Sequence, residues 1–232
     1  MGNSPPPIVM GYYPYTRNGI THAPRTILEE IGASLRVNPW YRQRALILAG
    51  DRAAATVLAR YGLTVARIFD DAPRPVRDNA AHWMKHWMML WAVREFGEAL
   101  WLDWDTVAVV PPADSFWAAA RLHETPKFVL IRGYQHAVVN CGVYYAPIAW
   151  ADRMAQSFNL GVESPNDEHL WEAVLPRDVL NRPEYWWGDM VRYVSGMHRI
   201  AELPPQLVFA HVKDLALAEA IRLHVTKGPP HG

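Results

Sequence analysis

Short apolar runs alternate with helical patterns through the first hundred residues, and this alternation restricts the possible folds more than any other feature of the chain. Three runs have the length of a buried strand: residues 8–13, 45–49 and 64–69. Asp51 is a suitable N-cap for an Ala-rich helix that ends at Gly62, and Asp78 or Asn79 can begin a helix that stops at Gly97. Such a β-α-β rhythm predicts a mostly parallel sheet with helices on both faces.

The second half of the chain is less regular. Residues 127–131 and 137–145 have the pattern of strands, and residues 166–174 and 215–224 have the pattern of helices. We therefore expect a mixed sheet in this half, within an α/β fold. At 232 residues, half of them hydrophobic, the chain is long enough to bury a full core, and no linker or repeat divides it. We expect one domain spanning residues 1–232.

Charge and cysteine content narrow the classes of partner. Lysine plus arginine and aspartate plus glutamate each number 23, so the balance gives no electrostatic reason to expect nucleic acid or an anionic membrane as a partner. The one cysteine, Cys141, excludes an internal disulfide, and no apolar run approaches the roughly 20 residues of a membrane helix. The start, MGNSPPPIVMGYYPY, lacks the pattern of a signal peptide. These features predict a cytoplasmic protein without a membrane span.

Two acidic residues directly follow an apolar strand in ALWLDWDTVAVVPP, residues 99–112. In an open α/β sheet, ligands bind outside the carboxyl ends of the strands, which is where Asp103 and Asp105 are expected to lie. If the backbone stays extended, their side chains point the same way. Paired carboxylates suit Mg²⁺ or Mn²⁺, whose coordination is commonly completed by substrate phosphates. Solvated acids at a strand end are common, but here further apolar residues enclose the pair on both sides.

The segment containing these acids resembles the Asp-x-Asp region of glycosyltransferases of the GT-A fold, in which a helix with a basic residue precedes the strand. VVNCGVYYAP (138–147), PNDEHL (165–170) and FAHVKD (209–214) are similar, in the same order, to later segments of glycosyltransferase family 8 and its relatives. The four segments cover most of the chain. Three places differ from the family pattern. The first strand ends in Gly11-Tyr12-Tyr13, Glu168 stands where glutamine is commoner, and the segment around Lys213 lacks the usual glycine before the lysine and Pro-Trp after it.

The resemblance implies a set of site residues. Asp103, Asp105 and His211 would bind the metal, Mn²⁺ or Mg²⁺. A nucleotide-diphosphate sugar, with UDP as the favoured nucleotide, would be the donor. Its contacts would come from Tyr12, Tyr13, Lys85, Asp103, Trp104, Asp105 and Lys213. Residues lining the sugar and acceptor sites would be Asn140, Gly142, Asp167, Glu168 and Trp186. Roles in catalysis fall to Asp105, Asp167, Glu168 and Lys85.

A rival metal site lies on the helix that precedes the Asp-x-Asp segment. His82 and His86 are four residues apart and so share a helix face, but Trp83 stands where a zinc hydrolase of the His-Glu-x-x-His type has its glutamate. A tryptophan stripe at 83, 87 and 91 predicts core packing, and Cys141 in an apolar run predicts an inert thiol. A third aromatic group, residues 185–187, predicts a loop that exposes indoles to an acceptor sugar.

The sequence therefore predicts a metal-dependent glycosyltransferase of hexosyltransferase type, which transfers a sugar to a carbohydrate or other hydroxyl-bearing acceptor, with retention if the family 8 resemblance holds. Two alternatives remain open at this point. A sugar nucleotidyltransferase would need a glycine-rich basic loop after the first strand, and GYYPYTRNG matches that poorly. A noncatalytic carbohydrate-binding protein would use the tryptophans but has no need of Asp103, Asp105 and His211.

Overall fold

The computed structural model describes most of the chain, namely residues 5–13, 15–17, 20–22, 25–78, 81–130, 139–160, 167–194, 200, 203–212 and 220–221. Its strands are β1 (Ile8–Tyr12), β2 (Tyr15–Arg17), β3 (Ile20–His22), β4 (Ala45–Ala49), β5 (Val65–Ile68), β6 (Glu98–Leu102), β7 (Thr106–Ala108), β8 (Lys127–Leu130), β9 (Val139–Pro147), β10 (Val191–Val194) and β11 (Phe209–Val212). Its α-helices are α1 (Arg25–Val37), α2 (Tyr41–Arg44), α3 (Arg52–Arg60), α4 (Arg74–Asp78), α5 (Ala81–Phe96), α6 (Asp114–Arg121), α7 (Ala151–Ser157) and α8 (Asp167–Glu172).

The central sheet is mixed and mainly parallel, as the sequence predicts. Its strand order is β5-β4-β1-β6-β9-β8. The four strands from β5 to β6 are parallel, and β9 and β8 add antiparallel pairs at one edge. The strand predictions for the first half are confirmed to within a residue or two. Of the helix expected at 215–224, only residues 220–221 are described, and they are helical.

Helix ends follow the sequence signals in most places. The Asp51 side chain accepts a hydrogen bond from the Ala54 amide at 2.6 Å, which caps α3. Helix α5 ends before Gly97, whose φ of +85° is the left-handed conformation that glycine adopts readily. The prediction that Asp78 caps α5 is wrong, because Asp78 is the last residue of α4. Asn79, the other candidate cap, lies outside the described residues.

Helices cover both faces of the sheet and bury two apolar cores. Side chains alternate along each strand, so Val9 and Trp101 face a core built with α4, α5, α7 and α8, while Met10 and Leu100 face a core built with α1, α3 and α6. Among the described residues, none of the helices has both the length and the apolar character that a bilayer crossing requires. The tryptophan stripe of α5 packs in the first of these cores, which confirms its predicted role.

A smaller sheet of order β10-β11-β7 joins the central sheet at the carboxyl end of β6. Strand β11 pairs in parallel with β10 and antiparallel with β7. The chain passes from β6 to β7 through a turn in which the Thr106 amide donates to the Asp103 carbonyl at 3.1 Å. The expectation of an extended backbone through Asp103 and Asp105 is therefore wrong, because the chain leaves one sheet for the other at this point.

Candidate active site

Two carboxylates of the turn between β6 and β7 meet an imidazole from a distant part of the sequence. Asp103, Asp105 and His211 each offer one ligand atom, and these atoms all lie within 4.8 Å of one another. Within the described parts of the chain, this is the one group of three acidic, histidine or cysteine side chains close enough to hold a metal ion. The cluster lies at the carboxyl end of β6, where ligands bind in open α/β sheets.

Backbone hydrogen bonds tie this turn to both neighbouring strands. The Asp103 amide donates to the Gly142 carbonyl of β9 at 2.8 Å, and the Val212 amide of β11 donates to the Asp105 carbonyl at 2.9 Å. Behind the turn, Asn38 donates its side-chain amide to the Thr106 carbonyl at 3.2 Å. The two carboxylates are thus carried by a backbone that three separate elements fix.

His211 is completely buried, and Gly142 provides the space for its ring. A β-carbon at Gly142 would collide with the imidazole atoms Cε1, Nδ1 and Nε2. Near Gly142 the pairing of β8 with β9 is irregular: the register shifts between Lys127 and Val129. Irregular pairing of this kind can re-aim side chains next to functional sites. Gly142 was predicted to line the sugar site, and it lies beneath the His211 ring because that ring occupies the space where a β-carbon would be.

Asn140 holds the other side of the His211 ring. Its Oδ1 lies 2.7 Å from His211 Nδ1 and also accepts the Gly142 amide at 3.1 Å. Its Nδ2 donates to Glu168 Oε1 at 3.1 Å, so the amide oxygen and nitrogen are both identified by their partners. Because Oδ1 is an acceptor, His211 Nδ1 must be the donor. In the neutral ring the lone pair is then on Nε2.

That lone pair points at a carboxylate. His211 Nε2 lies 3.0 Å from Asp105 Oδ1, and it has no hydrogen-bond partner within the described residues. Two acceptor atoms at this separation need a proton or a cation between them. Carboxylate oxygens and a neutral imidazole nitrogen are the ligands that divalent cations take in proteins. The residues present therefore fit a divalent metal.

Lys85 joins two of the predicted acids on the side away from His211. Its Nζ lies 2.9 Å from Asp103 Oδ1 and 3.2 Å from Asp167 Oδ2, and the residue is only 3% exposed. Burial alone would lower the pKa of Lys85, but Asp103 and Asp167 outweigh it and hold the pKa well above its usual value. The lysine is therefore permanently charged. The enclosed ammonium orients the two carboxylates and does not project into solvent.

Two aromatic residues that the sequence analysis did not assign complete this arrangement. Trp101 donates its indole N–H to Asp103 Oδ1 at 2.8 Å. The Lys85 ammonium lies 5.8 Å from the Trp101 ring centroid and 5.9 Å from that of Tyr144. Trp101 lies on β6 two residues before Asp103, which follows the end of the strand, so this two-residue spacing is a signal that could have identified it.

The remaining predicted polar residues lie around the cluster. Asp167 and Glu168 form the first turn of α8; Asp167 is buried against Lys85, and Glu168 is half-buried against Asn140. The hydroxyl of Tyr13 is buried, which raises its pKa well above the usual value, with Lys85 opposing and Asp103 adding to the effect. Tyr13 is therefore close to the charged groups of the site.

Three predicted ligand contacts have packing roles in the structure. Trp104 and Tyr12 are 6% and 2% exposed, and the Trp104 indole donates to the Gly11 carbonyl at 2.8 Å. The expected loop of exposed indoles is wrong, because Trp187 is buried and the Trp186 indole N–H donates to the Val179 carbonyl at 3.1 Å. The indole N–H groups of Trp104 and Trp186 are thus both hydrogen-bonded within the chain. Lys213 lies outside the described residues.

Of the rival histidine pair, only the side chain of His86 is described, and the groups around it do not form a metal site. The His82 side chain lies outside the described part of the structure. His86 is fully buried, contacts Ser157 Oγ at 3.2 Å through Nε2, and packs edge-on against Phe158 and Trp171. Cys141 is buried as well, and burial raises the pKa of its thiol well above the usual value. Neither residue is placed to act as a ligand or nucleophile.

Comparisons with known proteins identify the fold. No protein-family model matches the chain, and no curated protein matches its sequence. Among solved structures it is similar to a glycosyltransferase involved in the glycosylation of the major capsid of PBCV-1, with a TM-score of 0.54 and 14% identity over 97% of this chain and 100% of that one. It is also similar to mouse xyloside xylosyltransferase 1 in its apo form, with a TM-score of 0.51 and 10% identity over 89% and 96%. The chain therefore has the GT-A fold of these glycosyltransferases; at such low identities the likeness extends to the fold alone.

Proposed function

We propose that this protein is a metal-dependent glycosyltransferase that moves a sugar from a nucleotide-diphosphate donor to a hydroxyl-bearing acceptor. The observation that carries the proposal is the convergence of Asp103, Asp105 and His211 at the carboxyl end of β6. In this fold that edge of the sheet is where a nucleotide ligand is expected. A carbohydrate-binding protein without activity would have no use for a buried imidazole aimed at a carboxylate.

The proposed metal ligands are Asp103 and Asp105 through oxygen and His211 through Nε2. Mg²⁺ prefers an all-oxygen shell, so the mixed ligand set favours Mn²⁺. A divalent cation held there would supply Lewis-acid stabilisation of the charge that develops on a leaving diphosphate. Lys85 holds Asp103 and Asp167 in place, which is a positioning role and differs from the direct phosphate contact that the sequence suggested.

The donor sugar would lie beside the first turn of α8. Asp167 and Glu168 are there, and Asn140 connects Glu168 to His211. Tyr13 and Lys213 are the proposed contacts to the nucleotide. As finer points of the proposal, the donor is a UDP-sugar, the transferred group is a hexose, and the whole chain acts as one domain related to glycosyltransferase family 8. Retention of configuration by same-face substitution would need no covalent nucleophile.

The first experiment identifies the donor. The purified protein is mixed with a panel of nucleoside diphosphates, with Mn²⁺ or with EDTA, and its melting temperature is measured. A nucleotide present at a hundred times its Kd stabilises the folded state by about 2.7 kcal/mol. We expect one nucleotide, UDP, to raise the melting temperature, and only when Mn²⁺ is present. An equal shift in EDTA would contradict the metal-dependent proposal.

The second experiment measures turnover with the matching nucleotide sugar and a panel of acceptors. A glycosyltransferase releases the nucleoside diphosphate, whereas a nucleotidyltransferase releases pyrophosphate. The Asp105→Asn variant keeps the size of the side chain but removes the charge that faces His211. It should lose more than about a hundredfold in Mn²⁺-dependent nucleotide affinity, because even residues that only support metal ligands cost 10–100-fold. Unchanged affinity would exclude the proposed metal site.

A further inference from the structure

The two possible neutral forms of His211 have opposite consequences for the proposed metal site. If the proton is on Nδ1, the Nε2 lone pair is available to a cation. If the proton is on Nε2, the ring donates to Asp105 Oδ1 at 3.0 Å, and that hydrogen bond occupies two of the three ligands at once. A charged carboxylate is a stronger acceptor than an amide oxygen. If Asp105 were the only group facing the ring, the proton would therefore be on Nε2.

Asn140 opposes this outcome. Its Oδ1 lies 2.7 Å from His211 Nδ1, so moving the proton to Nε2 would leave two acceptors facing each other at that distance in a buried environment. Rotating the amide by half a turn does not relieve the conflict. It would turn Nδ2 toward the Gly142 amide and Oδ1 toward the Glu168 carboxylate, which replaces two hydrogen bonds by two repulsive contacts.

We propose that Asn140 is the positioning residue that keeps the metal site open, because it fixes the proton of His211 on Nδ1 and so prevents the ring from hydrogen-bonding to Asp105. The Gly142 amide and the Glu168 carboxylate hold the Asn140 amide in the orientation that this requires. The inference deepens the proposed function and rests on it where metal binding is concerned. The tautomer itself does not depend on any metal.

Nitrogen NMR measures the tautomer directly. The protein is labelled with ¹⁵N at its histidines and recorded without metal at alkaline pH, and the signal of His211 is assigned by its loss in His211→Gln. We expect Nδ1 to carry the proton in the wild type. In Asn140→Ala the proton should move to Nε2, while the double variant Asn140→Asp/Glu168→Gln, which still offers an oxygen to the ring and gives the second oxygen an amide donor at position 168, should keep it on Nδ1. A wild-type ring protonated on Nε2 would overturn the inference without any variant.

Manganese binding by the same proteins, measured from the EPR signal of free Mn²⁺, gives the second readout. Asn140→Ala should bind Mn²⁺ about 10–100-fold more weakly, and the double variant Asn140→Asp/Glu168→Gln should recover most of the affinity. An Asn140→Ala protein that keeps the wild-type tautomer would overturn the inference. A wild type that shows the expected tautomer but binds no Mn²⁺ would support the role of Asn140 and contradict the proposed metal site. Glu168→Gln, which can present either an oxygen or a nitrogen to Asn140, should give a mixture of both tautomers.

Discussion

Two buried histidines in this protein have the same exposure and opposite surroundings. His86 lies in the core between α5, α7 and α8, and His211 lies where β11 meets the turn after β6; both are 0% exposed. The Ser157 hydroxyl donates to the Met154 carbonyl at 2.7 Å, so its oxygen is free to accept from His86 Nε2. His86 Nε2 is thus satisfied by a hydroxyl, while its Nδ1 has no hydrogen-bond partner among the described residues and the ring packs against aromatic edges. His211 instead lies between an amide oxygen and a carboxylate oxygen.

Burial therefore does not distinguish a packed histidine from one proposed to bind a metal. The atoms that face the two ring nitrogens do distinguish them. Around His86 one polar contact and two aromatic rings favour the neutral ring as a packing element, and burial lowers the pKa of His86 to about 4. Around His211 the geometry leaves a lone pair directed at a negative group.

Lys85 immediately precedes His86 on α5 but belongs to the charged surroundings. Lys85→Met should lower the free energy of unfolding by about 3–5 kcal/mol, because it leaves the buried Asp167 and the partly buried Asp103 without their cation. Chemical denaturation measures this loss. Lys85→Arg keeps the charge and should recover part of the stability. A Lys85→Met protein as stable as the wild type would mean that the carboxylates do not need the ammonium. The proposed difference between the charged surroundings of His211 and the apolar surroundings of His86 would then be contradicted.

The pH dependence of stability tests whether the folded protein holds His86 in its neutral form. The unfolded chain protonates His86 near its usual pKa of 6.5, whereas the folded protein does so only near 4, so the unfolded state binds more protons between these values. Stability is therefore complete above pH 6.5 and falls as the pH drops toward 4, by about 3 kcal/mol from this residue. His86→Phe should show a correspondingly smaller loss between pH 7 and 4.5 in urea titrations. Identical slopes for both proteins would show that His86 is not held neutral.

A matched pair of alanine variants separates the two histidines by function. His211→Ala should weaken Mn²⁺-dependent nucleotide binding by about a hundredfold, because it removes a proposed ligand. His86→Ala should lower the melting temperature and leave nucleotide affinity in the folded protein unchanged, because its contacts are all to packing residues. Calorimetric titration below both melting temperatures measures the affinities. The reverse result would move the metal site to α5 and its His-x-x-x-His pair.

A variant at Asp51, which is away from both histidines, serves as a control for the effect of lower stability on nucleotide binding. Asp51→Ala removes the acceptor for the Ala54 amide and should cost about 1 kcal/mol of stability, with no change in metal or nucleotide binding. Asp51→Asn, which keeps the acceptor, should be close to the wild type. A nucleotide-affinity change in Asp51→Ala would mean that general destabilisation alone alters binding, and the His211→Ala result would then need correction.

Local signals in the sequence predicted most of the fold and part of the site. β1, β4 and the Asp51 cap depend on neighbouring residues, and each was predicted correctly. The turn at Asp103 could not be predicted in the same way, because β7 leaves the central sheet to pair with β11, about a hundred residues later in the chain.

The same limit applies to the packing of the aromatic residues and to the role of Asn140. Trp186 and Trp104, which were expected to contact ligands, each donate to a backbone carbonyl in another element, which no local pattern reveals. The link from Glu168 through Asn140 to His211 likewise needs three segments to meet. Before the structure, His211 was grouped with Asp103 and Asp105 only through the family resemblance, which depends on the order of four segments along the chain.

The pairing of β11 with the turn also determines when the site can form during folding. His211 and Asn140 are 71 residues apart, and closing a loop of that size costs entropy before any contact repays it. During synthesis, the carboxylates of Asp103 and Asp105 leave the ribosome long before the imidazole does. The cluster of Asp103, Asp105 and His211 therefore forms late in folding, because it cannot be completed before β11 is in place.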